Sequence, residues 1–353
     1  MVKTYKVDLD YEAALFDPNY KEDSPSSQKV IREFEYIFFL IEKEPSILKN
    51  IKGYDPIYLE DLKHLGFAIP ELNPKATEYE FWWGHHHDPE IEKNLNSKLT
   101  SAQIALENNW GFSEGAIIEN LSDLRAHLEK FPLREKWIIK RPHSFSGIGH
   151  VQFKRSDLHA ETLEKILTEK VLLEPVFDRI FDIGTTFEIS NGNIQRQFMV
   201  ENFNTSVGGF RGGAGSSNVD KFKKYIYEKF TYSLNGLEKI TSEIAQKYLE
   251  MGATSNIQID SFVYEDHGEL KIYPLVEVNY RKTMGLVIQA IADKFSEADY
   301  IEWRVETLKS LKESPIDENW IQLSPEGNHF RSYFSKSSKK NAESSARPER
   351  LDF

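Results

Sequence analysis

One segment of the chain carries residue types that can bind a phosphate group. In residues 137–153, an apolar run ends at Lys140, and a loop rich in serine and glycine follows (Ser144, Ser146, Gly147 and Gly149). Glycines let backbone N–H groups approach an anion, hydroxyls donate hydrogen bonds, and lysine supplies positive charge. The segment predicts a phosphate-binding loop, although a Gly/Ser hairpin with a surface lysine has the same composition. The chain has no Gly-Lys dipeptide, which excludes a Walker P-loop.

A second group of residues has oxygen atoms that suit Mg²⁺. Glu277 and Asn279 lie two apart at the end of one apolar run, and Asp260 lies within the preceding run. Residues two apart on a strand point to the same face, so a neighbouring strand can place Asp260 beside them. Three hard oxygen ligands with room for phosphate oxygens are typical of a magnesium site. Solvent-facing carboxylates on paired strands are the alternative interpretation.

A third pattern is compatible with binding of a nucleotide base. Residues 172–176 form an apolar run that contains Glu174 and ends in Pro175 and Val176, and Asp182 follows shortly after. The backbone of such a strand end can pair with adenine, and its carboxylates can bind an amino group or a ribose. Many other strand ends have the same composition.

Short strands and helices alternate around these residues. Apolar periodicity predicts strands at 137–140, 150–153, 171–176, 185–190, 194–204, 256–265 and 270–279, and helices at 102–108, 156–169, 222–230, 237–251, 284–295 and 300–312. The glycine-rich residues 206–218 predict a mobile loop. The polar residues 335–353 predict a disordered tail.

In this order, the patterns resemble the ATP-grasp fold. The resemblance rests on Lys98 opening a helix, Lys140 with its glycine-rich flap, the Glu174 hinge, and the closing strands with Asp260 and Glu277-x-Asn279; it spans residues 98–295. It implies an α/β (α+β) ATP-grasp fold in which two α+β subdomains grip a nucleotide. The expected domains are an N-terminal α/β domain at 1–97, an ATP-grasp domain at 98–312 divided near 173/174, and an extension at 313–353.

The resemblance also implies a role for each matching residue. Lys98 and Lys140 would contact the phosphates of ATP, beneath a flap formed by Ser144, Ser146, Gly147 and Gly149. Glu174, Pro175 and Val176 would contact adenine, and Asp182 the ribose. Asp260, Glu277 and Asn279 would bind one or two Mg²⁺ ions, with Mn²⁺ as an alternative. Arg281 and Arg211 would be catalytic, stabilising the transferring phosphoryl group or binding a substrate carboxylate.

The activity that the resemblance implies is that of a carboxylate–amine ligase. Such an enzyme would activate a carboxylate as an acyl phosphate and couple it to an amine, with amino acids or peptides as substrates and ADP and phosphate as products. A kinase on the same scaffold and a non-catalytic ATP-binding protein are the alternatives. Gln258 departs from the family pattern, because many members have arginine at this position, two residues before the first metal ligand.

Composition narrows the class of protein. The formal net charge of −12 argues against nucleic acid as a partner. The absence of cysteine excludes disulfides, thiolate nucleophiles and Cys-type zinc sites. With no signal-like or membrane-spanning run, we expect a cytoplasmic protein with small-molecule substrates, and a homodimer as one option for its assembly.

One motif stands apart from this scheme. His85, His86 and His87 are adjacent and follow two tryptophans and a glycine. Three adjacent histidines on a regular element cannot all face one metal, and a site built of oxygen ligands does not need them. We expect a solvated loop near a domain junction, with Trp82 and Trp83 packed beneath it.

Overall fold

The computed structural model describes residues 2–17, 19–21, 25–50, 53–143, 150–157, 167–205 and 209–337. Its strands are β1 (Lys3–Lys6), β2 (Ser46–Leu48), β3 (Glu71–Leu72), β4 (Glu80–Phe81), β5 (Ala116–Ile118), β6 (Lys136–Lys140), β7 (Val151–Lys154), β8 (Val171–Pro175), β9 (Asp178–Ser190), β10 (Asn193–Asn204), β11 (Phe210–Gly215), β12 (Ile257–Asp266), β13 (Glu269–Asn279), β14 (Tyr300–Thr307), β15 (Ile321–Gln322) and β16 (Phe330–Ser337). Its helices are α1 (Tyr11–Phe16), α2 (Pro25–Phe34), α3 (Ile37–Ile41), α4 (Pro56–His64), α5 (Pro89–Leu95), α6 (Lys98–Glu107), α7 (Leu121–Lys130), α8 (Val219–Phe230), α9 (Leu237–Glu250), α10 (Met284–Lys294) and α11 (Leu308–Glu313).

The N-terminal residues form a small parallel sheet with the strand order β3-β2-β1-β4. Strand β1 pairs in parallel with β2 on one side and with β4 on the other. The chain therefore continues to one side of β1 and later returns to its other side. The carboxyl ends of β1 and β4 lie next to each other at this reversal.

A second four-stranded sheet carries Lys140. Its order is β5-β8-β6-β7, and the described pairs in it are antiparallel. Trp137 and Ile139 of β6 point into a core shared with Leu124 and Leu128 of α7. Because neighbouring residues on a strand face opposite sides, Lys140 is directed away from this core.

The largest sheet has eight strands in the order β13-β12-β9-β10-β11-β14-β16-β15. Helices α8 and α9 cover one face, where Ile226 and Ile244 are buried. Helix α10 covers the other face and packs with residues from the N-terminal sheet. The three sheets and their helices confirm the predicted mixed α/β class. None of the helices in the described ranges combines the length and the apolar character needed to cross a bilayer.

The expected mobile loop at 206–218 is wrong for residues 210–215, which form β11 near the middle of the large sheet. The glycines of β11 allow the neighbouring strands and α10 to pack closely against its backbone. A Cβ atom on Gly213 would lie 2.2 Å from the carbonyl oxygen of Glu201 and 2.4 Å from Cδ1 of Ile288 on α10. A Cβ atom on Gly212 would lie 2.0 Å from the carbonyl oxygen of Trp303. Residues 206–208 lie outside the described part of the chain.

Two further expectations need correction near the C-terminus. The helix predicted at 300–312 is β14 followed by the short α11, because alternate residues of β14 are buried. Strand β16 pairs with β14 and includes Ser335–Ser337, the first three residues of the predicted disordered tail. Residues 338–353 are not described, and neither are 158–166 of the helix predicted at 156–169.

Candidate nucleotide and metal site

Lys98 is held at the start of α6 by contacts with two sheets. Its backbone N–H donates to the carbonyl of Pro142, just after β6, at 2.9 Å. Its side chain is buried and forms an ion pair with Glu277 on β13. Three residues along α6, the hydroxyl of Ser101 accepts a hydrogen bond from the N–H of Val278 at 3.2 Å. Helix α6 is thereby fixed against the strand that carries two of the predicted metal ligands.

Lys140 lies in a second buried ion pair. Its Nζ is 2.5 Å from Oε2 of Glu174 on the neighbouring strand β8. The hydroxyl of Tyr273, on β13, donates to the other oxygen of Glu174. Lys140 is 7% exposed and Glu174 is 3% exposed. The carboxylate of Glu174, which was expected to contact adenine, is therefore buried against Lys140. Glu174 therefore connects Lys140 to the large sheet.

Asp260 and Glu277 lie directly opposite each other on β12 and β13, as predicted. Oδ2 of Asp260 accepts from the side-chain amide of Asn279 at 2.9 Å, and Oδ1 accepts from Nε2 of Gln258 at 2.7 Å. Gln258 is itself oriented by Thr283, whose hydroxyl donates to Oε1. Gln258, at which the sequence departs from the family pattern, therefore positions the predicted metal ligand Asp260.

The charges of this cluster shift its pKa values in opposite directions. Burial, together with the nearby negative charge of Glu277, raises the pKa of Asp260. Burial also opposes ionisation of Glu277, but the ammonium groups of Lys98 and Lys140 outweigh it and lower the pKa of Glu277. Lys98, Lys140, Asp260 and Glu277 thus act on one another as a single electrostatic group.

The donor set of this group fits a magnesium ion that is shared with a nucleotide. Among the described residues, no cluster of three or more His, Cys, Asp or Glu side chains is arranged to hold a metal ion. Mg²⁺, however, is commonly held by one or two protein carboxylates plus substrate phosphates and water. Asp260 and Glu277 supply two facing carboxylates, and Asn279 adds an amide oxygen. The set fits Mg²⁺ bound with a phosphate chain, and not a metal cage built of protein alone.

The structure places the two predicted catalytic arginines differently. Nη2 of Arg281 lies 2.8 Å from Glu12 on α1 and donates to Oδ1 of Asn279 at 3.0 Å, so Arg281 is part of the cluster. Arg211 lies on β11 and pairs with Glu306 on β14. No contact found in the described ranges joins Arg211 to the cluster. Arg211 also does not lie in a mobile loop. Of the two predicted catalytic arginines, the geometry therefore favours Arg281.

The remaining predicted residues lie around these groups. Asp182 pairs with Arg179 and accepts from Asn204 at 3.1 Å. Pro175 ends β8, and the N–H of Val176 donates to the carbonyl of Lys136 at 3.0 Å. The flap residues Ser144, Ser146, Gly147 and Gly149 lie outside the described part of the chain.

Sequence reasoning missed three residues of this region. One is His150, whose pKa is lowered to about 4 by burial and by the positive charges of Lys140 and Lys98. Its position directly after the glycine-rich loop was the available signal. Tyr273 and Glu12 contact the cluster through partners 99 and 269 residues away, and no local pattern marks them.

Comparison with known proteins identifies the fold through solved structures. No family model matches the sequence, and no curated protein matches it. Solved structures do resemble it. They include N5-carboxyaminoimidazole synthetase from Staphylococcus aureus in complex with ADP (TM-score 0.51, 10% identity, 95% of this chain and 93% of that chain covered). They also include the biotin carboxylase domain of the Hydrogenobacter thermophilus 2-oxoglutarate carboxylase with MgADP and bicarbonate (TM-score 0.53, 10% identity, 96% of this chain and 86% of that chain covered).

Phosphoribosylamine–glycine ligase from Thermotoga maritima is similar to the same extent (TM-score 0.53, 10% identity, 96% and 93% covered). These three proteins share the ATP-grasp fold. The chain therefore has the ATP-grasp fold, as its motif order predicted. At 10% identity the likeness concerns the fold, and the roles of individual residues rest on their geometry in this chain.

Proposed function

We propose that the chain is an ATP- and Mg²⁺-dependent ligase that activates a carboxylate as an acyl phosphate and joins it to an amine. One observation carries this proposal. Two buried lysines from different elements, Lys98 at the start of α6 and Lys140 at the end of β6, belong to the same electrostatic group as the facing carboxylates Asp260 and Glu277. Buried charges are costly unless they have partners, and a magnesium–triphosphate complex has charges that complement this group.

The residues divide into three functions under this proposal. Lys98 and Lys140 bind phosphate oxygens, exchanging part of their contact with Glu277 and Glu174 for the nucleotide. Asp260, Glu277 and Asn279 hold Mg²⁺, which when bound neutralises phosphate charge during transfer. The strand end at Glu174, Pro175 and Val176 faces adenine, with Asp182 near the ribose. Arg281 binds the carboxylate that receives the phosphoryl group, since a guanidinium matches a planar oxyanion.

We further propose amino acids or short peptides as the substrate class. Free carboxylates of this size need a cationic anchor beside the phosphate site, and Arg281 is fixed there by Glu12 and Asn279. The similar Thermotoga maritima protein is named a ligase of phosphoribosylamine and glycine, which is a coupling of an amine with an amino acid. A carboxylate oxygen is a poor leaving group, so phosphorylation must precede attack by the amine.

The test is a product screen with the full chain. Protein, ATP and Mg²⁺ are incubated with single amino acids, amino-acid pairs and dipeptides, while ADP, free phosphate and product mass are measured. We expect ADP and phosphate in equal amounts, dependent on an amine. ADP without free phosphate would indicate a kinase, and ATP binding without ADP would indicate a non-catalytic protein; either result would overturn the proposal.

Glu277→Gln is the matching variant. It keeps the shape of the side chain but removes the negative charge, and we expect ADP release to fall to background. Glu269→Gln is the control, because Glu269 is exposed on the same strand β13. A Glu277→Gln enzyme with unchanged ADP release would remove Glu277 from the site.

A further inference from the structure

The histidine loop that follows β4 contains a residue in an unusual backbone conformation. His86 has a φ of +56°, in the left-handed region that residues other than glycine rarely adopt. The other described non-glycine residues with positive φ lie within two residues after a helix or in hairpin turns: Asn109, Asn191, Thr231 and His267. His86 lies in neither position. Such strain persists where surrounding contacts fix the residue, and it concentrates at functional sites.

Three contacts fix the imidazole of His86. Its Nε2 lies 2.6 Å from Oδ2 of Asp8. Its ring stacks on Phe81 with the centroids 4.2 Å apart and meets the edge of Tyr11 at 5.0 Å. The side chain is nevertheless 32% exposed, so a ligand can reach it. In the described part of the chain, no hydrogen bond involves its Nδ1.

Asp8 is fixed as firmly as the histidine. Its carboxylate is 6% exposed and accepts hydrogen bonds from three successive backbone N–H groups: Trp82 at 3.0 Å, Trp83 at 2.7 Å and Gly84 at 3.2 Å. A carboxylate on Nε2 places the proton of a neutral imidazole on that nitrogen. Nδ1 then keeps its lone pair. An imidazole oriented by a carboxylate, with its second nitrogen available, is the arrangement of a general base.

The position of this pair in the fold indicates a ligand site. Asp8 follows the carboxyl end of β1 and His86 follows that of β4, the two strands at which the chain reverses direction across the parallel sheet. In open parallel sheets, ligands bind in the crevice outside the carboxyl ends of the strands at such a reversal. A buried nitrogen without a hydrogen-bond partner, Nε2 of His85, lies in the same loop.

The histidine loop contacts the chain segment that directly follows the predicted metal ligands of β13. The ring of His85 packs on Tyr280 with the centroids 4.3 Å apart, and the N–H of Lys282 donates to the carbonyl of Trp83 at 3.0 Å. Between these two residues, Arg281 reaches α1 through Glu12. The loop that carries the histidines is therefore attached directly to the strand end that carries Glu277 and Asn279.

We propose that His86 is the general base for the amine substrate, which binds beside the histidine loop on the side of Arg281; this inference rests on the proposed ligase function. The lone pair of the amine forms a C–N bond with the carbonyl carbon of the acyl phosphate. The C–O bond to phosphate breaks, and its electron pair leaves with inorganic phosphate. One N–H proton of the amine passes to Nδ1 of His86. Asp8 is a positioning residue that keeps Nδ1 free.

Hydroxylamine separates activation of the acid from use of the amine. It attacks acyl phosphates readily without help from a base, and the hydroxamate formed reports carboxylate activation alone. The experiment uses the full chain with ATP, Mg²⁺ and the amino-acid panel described above, and compares hydroxamate formation with amide formation. His86→Gly is the informative variant, because glycine adopts a φ of +56° without strain. His87→Ala, at the exposed neighbouring histidine, is the control.

We expect His86→Gly to lower amide formation about 100-fold or more, the usual contribution of a general base, with hydroxamate formation within about threefold of the unaltered enzyme. Added imidazole should restore part of the amide formation. Equal losses of both products, an unchanged amide rate, or no rescue by imidazole would overturn the assignment of His86. Absence of hydroxamate in the unaltered enzyme with every carboxylate would instead overturn the ligase function, and this inference with it.

Discussion

Lys140 is buried in an ion pair, so its replacement should affect stability as well as turnover. In Lys140→Met, the carboxylate of Glu174 keeps the hydroxyl of Tyr273 but loses its counter-charge while only 3% exposed. Removing one partner of a buried ion pair typically costs about 3–5 kcal/mol in the free energy of unfolding. A lysine that served only to contact the phosphates of ATP could be replaced without loss of stability. The ion pair with Glu174 changes that expectation.

A second substitution separates the two roles of Lys140. In Lys140→Met combined with Glu174→Gln, no buried charge remains unpaired, and the glutamine oxygen still accepts from Tyr273. We expect the double variant to regain most of the lost unfolding free energy, measured by urea denaturation. ADP release should remain at background in both variants, because the point charge on the phosphates is absent.

Lys136→Met is the control for this pair of variants, since Lys136 lies on the same strand and its side chain is exposed. It should leave the urea midpoint and ADP release unchanged. A single variant as stable as the unaltered chain would refute the buried ion pair. A double variant that turns over ATP at the normal rate would refute the role of Lys140 at the phosphates.

Two further predictions concern the scaffold. Burial raises the pKa of Glu35 to about 7 from its usual 4.5, so folding favours the protonated carboxyl and the folded chain loses stability as pH rises from 4.5 to 7. The variant Glu35→Gln has no such charge to bury. Its unfolding free energy should match that of the unaltered chain at pH 4.5 and exceed it by about 3 kcal/mol at pH 8. Parallel stability curves would contradict this. Gly213→Ala should lower the unfolding free energy by about 1–3 kcal/mol or more, since the new Cβ would lie within 2.4 Å of Glu201 and Ile288. Gly209→Ala is the control. Its Cβ would lie near only the Thr205 side chain, so the unfolding free energy should change little. Equal urea midpoints would refute the close packing.

Much of the site could be predicted because its residues occupy recognisable local positions. Lys140 ends an apolar strand, Lys98 opens a helix, and Glu277 and Asn279 share one face of a strand. The hairpin that joins β12 and β13 predicts that Asp260 lies on the strand beside them. The register of the turn alone would pair Asp260 with Leu275, and an irregularity between Asp260 and Phe262 brings it opposite Glu277.

The rest depends on contacts between distant parts of the chain. Glycines in residues 210–215 have the composition of a loop, and only the close approach of the neighbouring strands and of α10 to β11 shows why side chains are excluded there. Arg281 reaches Glu12 across 269 residues, and His86 reaches Asp8 across 78. The strand β14 was recognisable from the sequence, because Ile301, Trp303 and Val305 alternate with charged residues as in a half-buried strand.

The largest hydrophobic core joins the two ends of the described chain. Phe38 and Trp82 share it with Trp303 and Phe334, and the hydroxyl of Tyr36 donates to Oγ of Ser332, 296 residues later. During synthesis on the ribosome, the N-terminal sheet therefore emerges long before β14 and β16 can cover it. Contacts of such sequence separation form slowly. The nascent N-terminal segment must stay soluble with part of its apolar surface exposed, and a chain terminated before β16 leaves that core incomplete.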